Sequence, residues 1–215
     1  MKICTVTFQA AINYGAVLQT YALQRVFKDM GHECDVLNYE CPAIKKADIS
    51  FDKAYIKNIK NLISSSLYYF INRIKHRKFV RFSKKNISLT QAINTPDKIE
   101  KFYDLFVCGS DQVWNYKITN FDKTYFLDFV KDNKKKASYA ASFGLSEIPN
   151  EYISEYSHLL KSFSHLSVRE NEGAKIISDL TGANCETVLD PTLLLSADKW
   201  LTLTKEKTEK KPYIL

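Results

Sequence analysis

The stretch KICTVTFQAAINYGAVLQTYALQRVFKDMGHECDVLNY, Lys2 to Tyr39, decides the fold. Lys2 to Phe8 reads as a strand, and Asn13-Tyr14-Gly15 opens a helix from about Ala16 to Met30 that Gly31 closes as a C-terminal cap. Cys34 to Tyr39 supplies a second strand after a short connection, so the opening forty residues predict a β-α-β unit with parallel strands and a right-handed crossover.

Further along, Asp104 to Cys108, Ala137 to Ala141, His165 to Val168 and Glu186 to Leu189 read as short strands, with helices expected at Glu151 to Phe163 and Glu170 to Leu180. This alternation predicts an α/β, Rossmann-like, mainly parallel sheet covered by helices. Ligands of such sheets bind outside the carboxyl ends of the strands, so the residues just after each strand matter most. They are Gln9 and Asn13-Tyr14-Gly15; Gly109-Ser110-Asp111-Gln112-Val113-Trp114-Asn115; Ser142-Phe143-Gly144; Arg169-Glu170; and Asp190-Pro191. Each has a plain structural alternative. Gly15, Gly109 and Gly144 can serve as turn glycines, Asp190-Pro191 as an Asx turn, and Arg169 as a partner of Glu170 or Asp190.

The formal charge of +7 is unevenly spread: from Lys53 to Pro96 there are ten Lys or Arg and no Asp or Glu, which leaves 21 basic against 24 acidic residues elsewhere. Within this segment Ile56, Ile59, Ile63, Leu67, Phe70 and Ile74 recur at helical spacing. Three readings compete for it. It is a solvated helix packing its stripe on the domain, a basic face for an anionic membrane or a lipid-linked phosphate, or a nucleic-acid surface. Tyr68, Tyr69 and Phe70 suit a headgroup region, so peripheral contact with an anionic membrane is retained and no nucleic-acid partner is expected.

With 45% of 215 residues hydrophobic and 26% charged, the chain has the composition of a globular domain. A chain of this size buries roughly 70% of its unfolded surface without a disulfide or metal staple. Its longest mostly apolar stretch, Leu62 to Ile74, is too short and too polar for a membrane span. Met1 to Ala11 lacks the apolar run of a signal peptide. Cys4, Cys34, Cys41, Cys108 and Cys185 are odd in number and scattered, with no C-x-x-C pair, so they are expected to be reduced thiols of a cytoplasmic protein with no metal site. Residues 1–203 form the expected domain. The charged run Thr204 to Lys211, followed by Pro212-Tyr213-Ile214-Leu215, is expected to link it to a second one.

Five motifs in order carry a family look: NYGAVLQTYALQ at 13 to 24, VCGSDQVWN at 107 to 115, YAASFG at 139 to 144, SVRE at 167 to 170 and VLDPTLLL at 188 to 195. The chain resembles the polysaccharide pyruvyl transferase family from its first strand to about Trp200. The resemblance implies a two-domain architecture like that of GT-B glycosyltransferases, with the acceptor on this N-terminal domain and phosphoenolpyruvate largely on the other. Residues 1 to 215 alone are then expected to fold without turning over. The implied reaction transfers the enolpyruvyl unit of phosphoenolpyruvate to a sugar diol, on a cell-surface glycan or its lipid-linked precursor, as a cyclic ketal with release of phosphate. No further cofactor is implied.

Such chemistry needs a base for a hydroxyl, a proton for the methylene carbon, and cationic or N–H partners for the donor's carboxylate and phosphate. Asp111 is the candidate base or hydroxyl ligand, with a helix N-cap as its structural alternative. Asn13, Tyr14 and Gly15 bring a helix N-terminus suited to a phosphate or a sugar hydroxyl. Arg169 is the candidate ligand of a donor anion, and Ser110, Gln112, Trp114 and Ser142 complete the expected substrate-binding set. Trp114 is equally suited to stacking on a sugar and to the core. His32, His76, His158 and His165 have no local partner pattern and stay outside the expected site. Two rival classes remain: a nucleotide-sugar glycosyltransferase of similar shape, and a non-catalytic basic module binding membrane or nucleic acid.

Overall fold

Asn13 stands in an extended conformation just ahead of helix α1 (Tyr14–Asp29), and its side-chain oxygen accepts the Ala16 N–H at 3.2 Å. One of the N–H groups that every helix start leaves unpaired is thereby satisfied. The other end turns on Gly31 at φ +84°, where the N–H groups of Gly31 and His32 donate to the carbonyls of Lys28 and Phe27. This double bond pattern is a Schellman cap, and glycine takes the positive φ without a Cβ penalty. The computed structural model describes residues 1–49, 74, 76–91 and 96–204.

Strands β1 (Lys2–Val6), β2 (Glu33–Val36), β3 (Leu105–Cys108) and β4 (Lys136–Ser138) form one parallel sheet in the order β2-β1-β3-β4. Ile3 lies opposite both Cys34 and Leu105, and Cys108 opposite Val6 and Ser138. After β1 the chain builds β2 on one side, then returns to lay β3 on the other, so strand order reverses between β1 and β3. Strands β5 (Ser167–Val168) and β6 (Glu186–Thr187) pair in parallel, and bridges Ala137 to His165 and Ala141 to Val168 tie them to the region of β4. The expected strand from 137 to 141 is interrupted because Ala140 takes φ +52°, which no regular strand accommodates. The second strand stops at Val36 rather than Tyr39, since the Tyr39 N–H turns back to the Leu37 carbonyl.

Helices α2 (Pro42–Ile49), α3 (76–86), α4 (Tyr116–Thr119), α5 (Asn150–Leu160), α6 (Asn171–Thr181) and α7 (Ala197–Leu201) surround the sheet. On one side Val17, Tyr21 and Ala22 of α1 meet Val36, Phe79, Phe82, Leu195 and Trp200. The other side holds an aromatic core in which the Trp114 ring stacks on Phe126 at 5.8 Å and meets Phe163 edge-on at 5.7 Å. The offset and edge-on geometries place ring edges against ring faces, where the quadrupoles attract.

Of the expected basic helical segment, most falls outside the described residues. What is described, α3, docks Phe79 and Phe82 against Tyr14 and Tyr21 and leaves Arg77, Lys78, Arg81, Lys84 and Lys85 exposed. Residues 205–215, including the strand-like start at Pro212, also lie outside the described residues. All five cysteines are unbridged, and burial pushes their thiols up, that of Cys34 to about 12, so none is poised as a thiolate. Among the described residues no helix is long and apolar enough to cross a membrane, and no cluster of His, Cys, Asp or Glu could hold a metal ion.

Candidate functional site

The loops after β3, β4, β5 and β6 meet beyond the carboxyl edge of the sheet, and the meeting begins at Gly109. A Cβ there would stand 3.2 Å from both Leu23 Cδ2 and Thr7 Cβ, so a side chain would push β3 away from β1 and α1. Thr7, just past β1, donates its hydroxyl to the Ser110 carbonyl at 2.7 Å and accepts Gln19 Nε2 at 2.8 Å. Three residues from three elements thus hold the start of the loop after β3 in place.

Asp111 follows at φ +86°, a conformation that a residue with a Cβ seldom adopts. Its carbonyl accepts the N–H groups of Val113 at 2.8 Å and Ser142 at 3.0 Å, which pins the loop to the one after β4. Among the described residues its carboxylate accepts one hydrogen bond, from the neighbouring Gln112 N–H at 2.8 Å. No helix starts here. The short α4 is capped by the Asn115 side chain instead, so the N-cap alternative for Asp111 does not hold. Burial raises the Asp111 carboxyl above the ordinary range, against the Gln112 N–H and the Arg169 charge, while Asp190 and Glu170 add to the rise.

Arg169 reaches the same place from the end of β5. Its Nε donates to Glu170 at 2.7 Å, and its Nη1 to Asp190 Oδ2 at 3.3 Å and Ser110 Oγ at 3.4 Å. Ser110 Oγ in turn donates to Asp190 Oδ2 at 2.8 Å. Burial opposes ionisation of Asp190, but hydrogen bonds from Thr192, Ser110 and Arg169 outweigh it and hold this carboxyl below the ordinary range. Asp190 was only a strand-end candidate in the sequence. Its partners come from 80 and 21 residues away, and no local spacing announces them.

The other expected residues divide. Gln112 is half-exposed beside Asp111, its Oε1 accepting Asn115 Nδ2 at 2.9 Å. Ser142 is fully buried, and its Oγ accepts the Gly144 N–H at 3.1 Å, so it supports the loop and offers no surface to a substrate. Trp114 is a correction. It is 0% exposed, its indole N–H donates to the Tyr125 carbonyl at 3.0 Å, and its own carbonyl accepts the Tyr156 hydroxyl at 2.6 Å. No face is left to stack on a sugar.

Asn13, Tyr14 and Gly15 lie at the same edge, because β1 and β3 run parallel, but among the described residues no hydrogen bond joins them to Asp111. Tyr14 is 74% exposed with its ring 5.0 Å from Phe79. The segments that follow β1 and β2 wall a separate recess of about 100 Å³, lined by Phe8, Gln9, Tyr39, Cys41, His76 and Tyr125, which none of Asn13, Tyr14 and Gly15 lines. His76 reaches it from α3, so the one histidine at the edge is contributed by an element remote in sequence. Nothing in its own neighbourhood could have signalled that.

These features define an α/β domain with a parallel four-stranded sheet, flanking helices and a partly buried carboxylate beside the point where strand order reverses. The family model for polysaccharide pyruvyl transferase matches residues 13–215, and the chain belongs to that family. Among curated proteins no significant match is found.

Proposed function

We propose that the protein transfers the enolpyruvyl group of phosphoenolpyruvate to a sugar diol of a polysaccharide or its lipid-linked precursor, forming a cyclic pyruvate ketal. The observation that carries the reading is Asp111, a carboxylate held at φ +86° at the switch point of the sheet, raised above its ordinary range and bonded, among the described residues, to the adjacent N–H alone. Strained conformations are kept where the surroundings enforce them, and a base works best when its pKa approaches the operating pH.

On this reading Asp111 takes the proton from one sugar hydroxyl, whose oxygen bonds to C2 of the donor while an acid from outside the Asp111 cluster delivers a proton to the methylene carbon. The C2–O bond to phosphate then breaks with electron donation from the first sugar oxygen, the second hydroxyl bonds to the oxocarbenium carbon so formed, and its proton leaves with the phosphate. Gln112 and the loop after β4 shape the acceptor side, and Ser110, fully buried with its hydroxyl on Asp190, supports them from beneath, which corrects its expected place among the substrate contacts. The Tyr14 and Gly15 N–H groups at the start of α1, which have no hydrogen bond among the described residues, suit a phosphate or a sugar hydroxyl. In the GT-B-like arrangement the donor is held mostly by a second domain. Incubating the protein with phosphoenolpyruvate and a diol glycan should release phosphate and add pyruvate to the glycan. Phosphate release without a gain of pyruvate on the glycan, or transfer from a nucleotide sugar instead, would refute the reading.

The exposed cations of α3 suit peripheral contact with the inner face of an anionic membrane, where each contributes about 1 kcal/mol. None of Arg77, Lys78, Arg81, Lys84 or Lys85 forms an ion pair among the described residues. Binding to phosphatidylserine-containing vesicles should weaken steeply with salt, because exposed charges are screened within about 10 Å at 0.1 M. Changing Arg77, Lys78 and Arg81 to Gln should weaken it by about 100-fold, the three contributions combined. Binding that ignores salt, or none, makes α3 simply a solvated helix.

A further inference from the structure

We infer that Arg169 is a positioning residue, whose guanidinium ties Asp190, Glu170 and Ser110 into a brace behind Asp111 instead of binding a donor anion. The inference rests on Asp111 being the base.

The brace is continuous. Asp190 divides its two oxygens: Oδ1 accepts the Thr192 N–H at 2.9 Å and hydroxyl at 2.7 Å, while Oδ2 accepts Ser110 Oγ and Arg169 Nη1. An Asx turn needs only the first of these, so Oδ2 is left for a role that the turn does not explain. Ser110 immediately precedes Asp111, and its carbonyl is held by Thr7, which is held by Gln19 of α1. Any shift of Arg169 therefore moves Ser110, and with it the strained residue beside it.

Charge points the same way. Asp111, Glu170 and Asp190 gather around one guanidinium, so the cluster carries two more negative than positive charges when all are ionised. A donor bearing both a carboxylate and a phosphate would meet net repulsion there. The charged groups facing Asp111 are Arg169 and Glu170 from the end of β5 and Asp190 from the end of β6. From the loops after β3 and β4 it meets the uncharged Ser110, Gln112 and Ser142. Removing the cation should thus disturb the carboxylate, and removing a neighbouring anion should disturb it in the opposite sense.

The deciding measurement is the titration of the Asp111 carboxyl by side-chain carbon NMR in this chain, which requires no turnover and so stands apart from the success or failure of the ketal assay. Arg169→Met should raise the Asp111 midpoint by about one unit, the low end of what losing a neighbouring opposite charge produces. Glu170→Gln should lower it. Arg169→Lys, which keeps the charge but cannot span both carboxylates, should give a smaller rise. It also keeps the test decisive if the Met variant does not fold, a point circular dichroism checks. Phosphoenolpyruvate binding, followed by phosphorus NMR, should change less than twofold across the Arg169 variants. An Asp111 midpoint that does not move in any folded Arg169 variant overturns the inference, and the more plainly so if phosphoenolpyruvate binding is lost with it.

Discussion

Asp111→Asn is expected to lower turnover of the enzyme by about 100-fold or more, the usual contribution of a positioned general base. The same substitution should leave stability unchanged or raise it. The folded-state carboxyl titrates above its unfolded value, so its charged form is the one that folding disfavours, and stability is lost as pH rises through the folded value. Asn carries no charge to desolvate, and it takes positive φ as readily as Asp does. Loss of activity together with an equal or higher melting temperature at neutral pH is therefore the expected signature. Activity should also fall as pH drops through the raised Asp111 pKa, at a higher pH than the ordinary aspartate value of about 3.9 would set. A variant that retains more than a tenth of wild-type turnover would remove Asp111 from the role of base.

Trp114→Ala is expected to destabilise the fold by about 3 to 5 kcal/mol, the range for deleting a large aromatic from a packed core. The ring contacts Phe126, Phe143 and Phe163, and its removal also frees an acceptor at the Tyr125 carbonyl. That carbonyl still receives the Cys108 thiol, so the cavity is the larger part of the cost. With net stability of domains commonly near 5 to 15 kcal/mol, the variant would be close to unfolding at physiological temperature. Denaturant unfolding measures the loss directly. A cost below about 1 kcal/mol would mean that the indole is not the centre of this core. Trp114→Phe, which keeps a ring in place, should cost less.

The contrast between these two residues, three positions apart in one motif, shows where reading a sequence stops. The β-α-β opening was legible because each of its signals is local: a run suited to a strand, Asn13 as a cap, helical periodicity, and Gly31 where the chain must take positive φ. The strand before Asp111 was legible too, and because β3 runs parallel to β1 the loop that follows it stands at the carboxyl edge, while the reversal of strand order between the two is a feature of the sheet. Even the short strands beyond were legible in kind, though Ala140 broke one of them. Its left-handed conformation reflects neighbours that hold it there and no preference of alanine itself.

What side chains do at the edge was another matter. An indole suits a sugar and a core equally well, and only the convergence of Phe126, Phe143, Phe163 and Tyr156 on Trp114 decided for the core. Arg169 had two possible carboxylate partners in the sequence and took both, while His76 entered the recess on a helix that packs against α1. The sequence by itself determined the backbone frame and which residues stand at the ends of the strands, because dihedral preference and hydrophobic period act over a few residues. Which of those residues stay open to a ligand was decided only by the tertiary structure, because hydrogen bonds and burial are settled between strands that lie side by side in space and far apart in the chain.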